Sequence, residues 1–208
     1  MFMPKKKVFI TGASGTVGSV LMNGLTEFAV NGISLGDCDL TDYSAVQQII
    51  PSDVDILIHL AWKPGLIYED GIYDSANVEM MLNVLEVASQ KKIPRVVLAS
   101  SVHTKEYRPS HKAATVLGHT RPTSIYGATK VYVEEIGKYY AHYRDIEVVS
   151  IRLGGVNKED LIDGRDEEHY NAIYLSHKDL LCLFTKIINH SEMLHNFTVL
   201  YAVSGKQE

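Results

Sequence analysis

Short apolar runs alternate along the chain with longer stretches whose apolar residues recur at helical spacing. Val8–Thr11 is a short run that ends at glycines and predicts a buried strand. Val17–Phe28 follows with helical spacing. Ile33–Leu35 is a second short strand segment, and Tyr43–Ile50 reads as a helix stopped by Pro51. Asp55–Ala61 predicts a strand and Ala76–Ser89 a helix with a broad apolar face. Arg95–Ser100 is a further β-branched run. Ile125–Tyr143 predicts a helix, Glu147–Leu153 a strand, Asp179–Asn189 a helix and Phe197–Ala202 a last strand.

Alternation of this kind means βαβ units and a parallel sheet. Right-handed crossovers then give a doubly wound α/β fold with helices on both faces. In such a sheet the ligand sits beyond the carboxyl ends of the strands.

Composition narrows the class. A chain of 208 residues with 46% hydrophobic and 22% charged residues can bury a core without disulfides or metal. A net charge of −5 argues against a nucleic-acid partner, and Lys5–Lys7 read as solvated residues before the first strand. No apolar stretch reaches membrane-spanning length or forms a signal-peptide core, so no membrane is expected. Two cysteines, Cys38 and Cys182, suit a reducing cytoplasm. The nine histidines show no metal-ligand spacing. The expected organisation is one domain over residues 1–208, with 154–208 forming a small C-terminal portion.

Two motifs carry chemistry. Thr11-Gly12-Ala13-Ser14-Gly15-Thr16-Val17-Gly18 joins the first strand to the first helix. Gly12 permits the tight turn, Gly15 lets backbone approach a pyrophosphate, and Gly18 allows close packing. Amides of the turn and the helix dipole then face the anion. Further on, Tyr126 and Lys130 lie four apart at the start of a predicted helix, hence on one face. A tyrosine is a poor base at neutral pH, but an ammonium one turn away lowers its pKa. So tuned, it exchanges a proton with a substrate hydroxyl during hydride transfer. A serine is needed to hold the substrate oxygen, and Ser100-Ser101 ends the preceding strand.

The TGxxGxxG turn, the serine pair and YxxxK, in that order, resemble the extended branch of the short-chain dehydrogenase/reductase superfamily, the NAD-dependent epimerase/dehydratase family. The resemblance covers most of the chain and implies a Rossmann-type fold and NAD or NADP as hydride carrier. It assigns catalysis to Ser101, Tyr126 and Lys130. It assigns the cofactor to Gly12, Ser14, Gly15, Thr16 and Val17, to Asp39 and Leu40, and to Leu60, Ala61, Trp62 and Asn77. Ala99, Ser100, Tyr126, Lys130, Leu153 and Val156 complete that set. Ser100-Ser101-Val102-His103 and Tyr174-Leu175-Ser176-His177-Lys178-Asp179 resemble segments of uronate dehydrogenases and related sugar dehydrogenases. In that branch the substrate residues would be Ser101, Val102, His103, Tyr126, Gly155 and His169. Three of these depart from the pattern: Val102 stands for an asparagine, Gly155 for a serine, and His169 for an arginine. An arginine grips a carboxylate bidentately and a histidine does not. Arg165 is a second place for that role. The expected reaction is hydride transfer between nicotinamide and a small sugar-like or uronate-like hydroxyl compound. The alternatives are a nucleotide-sugar epimerase/dehydratase and a non-catalytic dinucleotide sensor. The resemblance also implies a homodimer through the Tyr-Lys helix and its neighbour. Val131, Val133, Ile136, Tyr139 and Tyr140 serve either that contact or the core.

Between Phe28 and Gly36 only one strand fits. Taking Ile33–Leu35 as the third strand leaves the second absent. Taking it as the second makes Asp37 the ribose-binding acid. The chain also stops soon after Tyr201. On this reading the intact protein should weigh more than 23.2 kDa.

Overall fold

In a computed structural model, the described residues are 4–63, 74–105, 119–161, 172–190 and 196–204. Six strands form one parallel sheet in the order β2-β1-β3-β4-β5-β6. They are β1 (Lys7–Thr11), β2 (Ala29–Ile33), β3 (Ile56–His59), β4 (Arg95–Ser101), β5 (Glu147–Leu153) and β6 (Phe197–Ala202). The helices are α1 (Thr16–Gly24), α2 (Tyr43–Ile49), α3 (Ala76–Gln90), α4 (Ile125–Tyr143) and α5 (His177–Asn189). The strand order reverses between β1 and β3, the switch point at which doubly wound sheets bind ligands.

Successive side chains of a strand point to opposite faces, so each apolar strand feeds two cores. Phe9, Leu57, Val96, Leu98 and Val148 pack beneath α2, α3 and α4. Val8, Ile10, Ile58, Val97 and Ile151 pack with Leu21 of α1 and Phe184 of α5. Strands β3 and β5 are buried along their whole length, and in β5 that burial encloses Glu147, Ser150 and Arg152 as well as the apolar residues. Of the α4 residues weighed between core and partner contact, Val133 and Tyr140 are core and Ile136 packs against it, whereas Tyr139 is exposed.

Two expectations are corrected. The second strand is not absent. The strand after α1 runs over Ala29–Ile33 and pairs directly with β1, Lys7 opposite Ala29 through Thr11 opposite Ile33. Leu35 lies beyond it and is 80% exposed. The edge position explains the misreading, since Ile33 alone is buried and no alternation marks the rest. Helix α1 also ends at Gly24 rather than Phe28. Leu25 closes it by donating to the Leu21 carbonyl, and Phe28 turns back into the core.

Candidate functional site

Three helices begin with a side-chain cap of their own. Asp42 accepts from the Ser44 and Ala45 amides at α2, Ser124 from Gly127 at α4, and Ser176 from Asp179 at α5. At α3 the Asp74 carboxylate serves the first turn by accepting from the Ala76 amide. Helix α1 differs, because its N-cap is Gly15 and no side chain caps it. Its first-turn amides point out of the glycine turn, which suits a phosphate.

That turn is shaped by backbone packed on backbone. Gly12 has φ +79°, and a Cβ there would lie 2.6 Å from the Ala61 nitrogen. A Cβ on Gly18 would lie 2.2 Å from the Gly12 carbonyl oxygen. Neither position admits a side chain. The Gly12 and Ala13 amides both donate to the Ile33 carbonyl at 2.9 Å, and the Ser14 amide donates to Ser34 Oγ at 3.0 Å.

Two cavities meet at the turn. The larger, about 460 Å³, is lined by Gly12, Gly15, Thr16 and Val17 on one side. Leu60, Trp62, Ala99, Ser100, Ser101, Val102, His103, Tyr126 and Lys130 line it opposite, with Leu153, Gly155 and Val156 at its end. The smaller, about 220 Å³, is lined by Ser14, Asp39, Leu40 and Ala61 and shares Gly12, Gly15, Leu60 and Trp62 with the first. The structure thus brings together the residues singled out from the sequence except His169, Arg165, Asn77 and Asp37. His169, like Arg165, lies outside the described residues. Asn77 stands behind the wall: its buried amide accepts from the Lys63 amide at 2.7 Å and donates to the Lys63 carbonyl at 3.0 Å. Asp37 is turned to its own loop, accepting from the Ser34 amide at 2.7 Å, and is not among the lining residues.

Tyr126 and Lys130 share one face of α4, as their spacing requires. Lys130 is 4% exposed, and its Nζ donates to the Ala99 carbonyl at 3.0 Å. The same Nζ lies 3.4 Å from the centre of the Trp62 ring and 5.6 Å from that of Tyr126. Burial pushes its pKa down to about 7. The indole face and the carbonyl oppose that by favouring the ammonium. Ser101 Oγ accepts from the His103 amide at 3.2 Å, so its hydroxyl is oriented at the head of the 3₁₀ turn Val102–Thr104.

A buried polar layer lies underneath, and nothing in the linear pattern marked it. One α4 turn beyond Lys130, Glu134 accepts from Ser100 Oγ at 2.6 Å and from Arg152 Nε and Nη2 at 2.8 and 2.7 Å. Nearby, Thr11 Oγ1 and His59 Nδ1 are 2.7 Å apart. Burial, and then the Lys130 charge, holds the His59 pKa down to about 3, so the ring is neutral. Ser34, Leu35, Cys38 and Met80 in the smaller cavity, and Gly154 and Ile173 in the larger, also went unmarked. Ser34 and Gly154 directly follow strand ends, which was the available signal.

The Ser176-His177-Asp179 segment is a clasp. His177 Nε2 is 2.7 Å from the Asn157 carbonyl, its amide donates to Asp160 Oδ1 at 2.7 Å, and Ser176 Oγ donates to Asp179 Oδ2 at 2.9 Å. Among the described residues no cluster could hold a metal ion, and no helix is long and apolar enough to cross a membrane.

A parallel sheet, an uncapped glycine turn at its switch point, and serine, tyrosine and lysine on the facing wall define a nicotinamide-dependent oxidoreductase of the short-chain kind. Residues 8–157 match the NAD dependent epimerase/dehydratase family, and the chain belongs to it. It is similar to the uronate dehydrogenase of Pseudomonas syringae pv. tomato, with 28% identity over 98% of this chain and 76% of that protein. It is also similar to the L-arabinose 1-dehydrogenase (NAD(P)(+)) of Haloferax volcanii, 31% identical over 81% of this chain and 75% of that one. Among solved structures, glucuronic acid dehydrogenase from Chromohalobacter salexigens superposes with a TM-score of 0.77 at 28% identity, covering 98% of this chain and 79% of that one.

Proposed function

We propose that this enzyme oxidises a hydroxyl-bearing carbon of a small sugar or uronate, with Ser101, Tyr126 and Lys130 as its catalytic residues. The observation that carries the reading is their convergence on one cavity with the glycine turn. The chain's own features fit a dinucleotide. The uncapped α1 terminus suits the pyrophosphate, the smaller cavity at Asp39 and Leu40 suits the adenosine, and Lys130 suits the ribose on the catalytic side. When bound, the nicotinamide supplies the hydride acceptor. Tyr126 takes the hydroxyl proton as the carbonyl forms, and Ser101 holds the same oxygen. Lys130 favours the tyrosinate through its charge. The dehydrogenases of uronate and L-arabinose among the relatives support a small sugar-like substrate. Val102, Gly155 and the segment around His169 are where its identity would be read.

The same proposal takes residues 1–208 as one cofactor-binding domain, with 154–208 forming the substrate side, in the cytoplasm. It includes a homodimer. A groove of about 690 Å³ between α3 and α4, lined by Val78, Leu82, Ile125, Ala128 and Tyr132, supports that contact. Light scattering should give twice the chain mass, and a monomer would remove the contact.

The test is a panel of uronates and aldoses with NAD and NADP, read by nicotinamide absorbance. Tyr126→Phe should lose about 10²–10⁴-fold in turnover while still binding cofactor. Full activity in that variant overturns the assignment.

A further inference from the structure

Trp62 is the chain's single tryptophan, and no step above uses its indole. It stands just past β3, where the two cavities join, and it lines both. Its backbone is fixed, because Asn77 holds the next residue, Lys63, by both amide and carbonyl. No hydrogen bond holds its side chain, since the shielded Nε1 has no hydrogen-bond partner among the described residues. The ring covers Lys130 Nζ at 3.4 Å and meets Tyr126 edge-on, with centroids 6.3 Å apart.

An ammonium has three donors. One of those on Lys130 goes to the Ala99 carbonyl, and the indole face covers another side of the group. A dinucleotide laid along the glycine turn must pass from one cavity to the other beside this ring. For Lys130 to donate to both hydroxyls of a ribose while keeping Ala99, all three donors are needed, and the indole must leave the ammonium.

We propose that Trp62 is a gate between the two halves of the cofactor cleft, with an indole that caps the Lys130 ammonium and swings off it when a nicotinamide dinucleotide binds. This rests on the reading of the cleft as a dinucleotide site. The cap gives the buried ammonium a cation–π partner until the ligand hydroxyls replace it. A ligand that reaches Lys130 opens the gate, and one confined to the adenine side leaves it closed.

The single tryptophan makes the movement visible. Oxidised NAD, NADP and AMP are titrated separately into the wild-type protein, following Trp62 emission with calorimetry in parallel. The dinucleotide should shift the emission maximum to the red and lower its anisotropy, and AMP should not lower the anisotropy. Trp62→Leu, checked for folding by circular dichroism, should bind the dinucleotide about fivefold to tenfold more tightly, because no cation–π contact is broken on binding. Trp62→Phe should fall between. Dinucleotide heat without an emission shift would mean that the indole stays in place and would overturn the gate alone. So would weaker dinucleotide binding by Trp62→Leu, which would make the indole a platform on which the cofactor rests. Absence of heat with either dinucleotide in the wild type would remove the cofactor reading itself, and the gate with it.

Discussion

Strands β4 and β5 run side by side, and a buried arginine–glutamate pair sits at each end of them. At the amino end Arg95 Nε donates to Glu147 at 2.7 Å, and its Nη1 donates to the Ile187 and His190 carbonyls where α5 finishes. At the carboxyl end Arg152 holds Glu134 by two bonds, and Ser100 takes a further place on the same carboxylate. Both pairs are about 5–8% exposed, so burial does not separate them. Their surroundings do. Arg95 braces a helix C-terminus, where a cation meets the negative end of the dipole. Glu134 joins the helix that carries Tyr126 and Lys130 to the strand that carries Ser101. One interaction type serves as a strut at one end of the sheet and as an alignment device at the other.

The sharpest way to separate the ends is acid, because His59, the buried histidine kept neutral, lies at the carboxyl end. The unfolded chain protonates His59 below about pH 6.5, whereas the folded protein refuses that proton until about pH 3. The unfolded state therefore binds more protons across that window, and stability falls as pH drops through it. The full effect is on the order of 5 kcal/mol. Urea melts at pH 7, 5 and 4 should show a shallower loss for His59→Gln than for the wild type. Identical pH profiles would contradict the buried neutral ring.

Next in size is removal of one partner from each pair. Glu134→Ala strands Arg152 and should cost about 3–5 kcal/mol, and the surviving folded enzyme should also lose turnover. Arg95→Met removes the Nε donor to Glu147 at a similar or slightly smaller cost, about 3 kcal/mol, and should leave kcat unchanged. Melts and steady-state kinetics on both variants decide the matter. Equal loss of kcat in both would erase the distinction between strut and alignment device.

The smallest change is Ser100→Ala, which removes one hydrogen bond to a charged acceptor, about 1–3 kcal/mol. It should lower kcat with little change in cofactor affinity, measured by calorimetry. Wild-type kinetics with only a stability loss would confine Ser100 to packing.

Much of this architecture was readable from the chain. Helix α4 and strands β5 and β6 match their expected bounds, because apolar periodicity is a local signal. The glycine turn and YxxxK were visible for the same reason: their chemistry is fixed by spacing. Strand β2 was misplaced because an edge strand with one buried residue has no pattern to read. Glu134 and Arg152 look like solvated charges of an amphipathic helix and a strand. Only the docking of α4 on β4 and β5 buries them against each other. Trp62 was placed at the cofactor from its position after β3, but its seat on Lys130 joins residues distant in sequence.

The glycine turn also has a consequence for the order in which the protein is made. Its amides hang from Ile33 and Ser34 on one side, and Gly12 lies against Ala61 on the other. Neither support is local, so the finished shape of the turn depends on β2 and β3 both lying beside β1. A chain still waiting for β3 has no finished phosphate cradle. Cofactor capture would then mark completed folding and add its binding free energy to the native state alone.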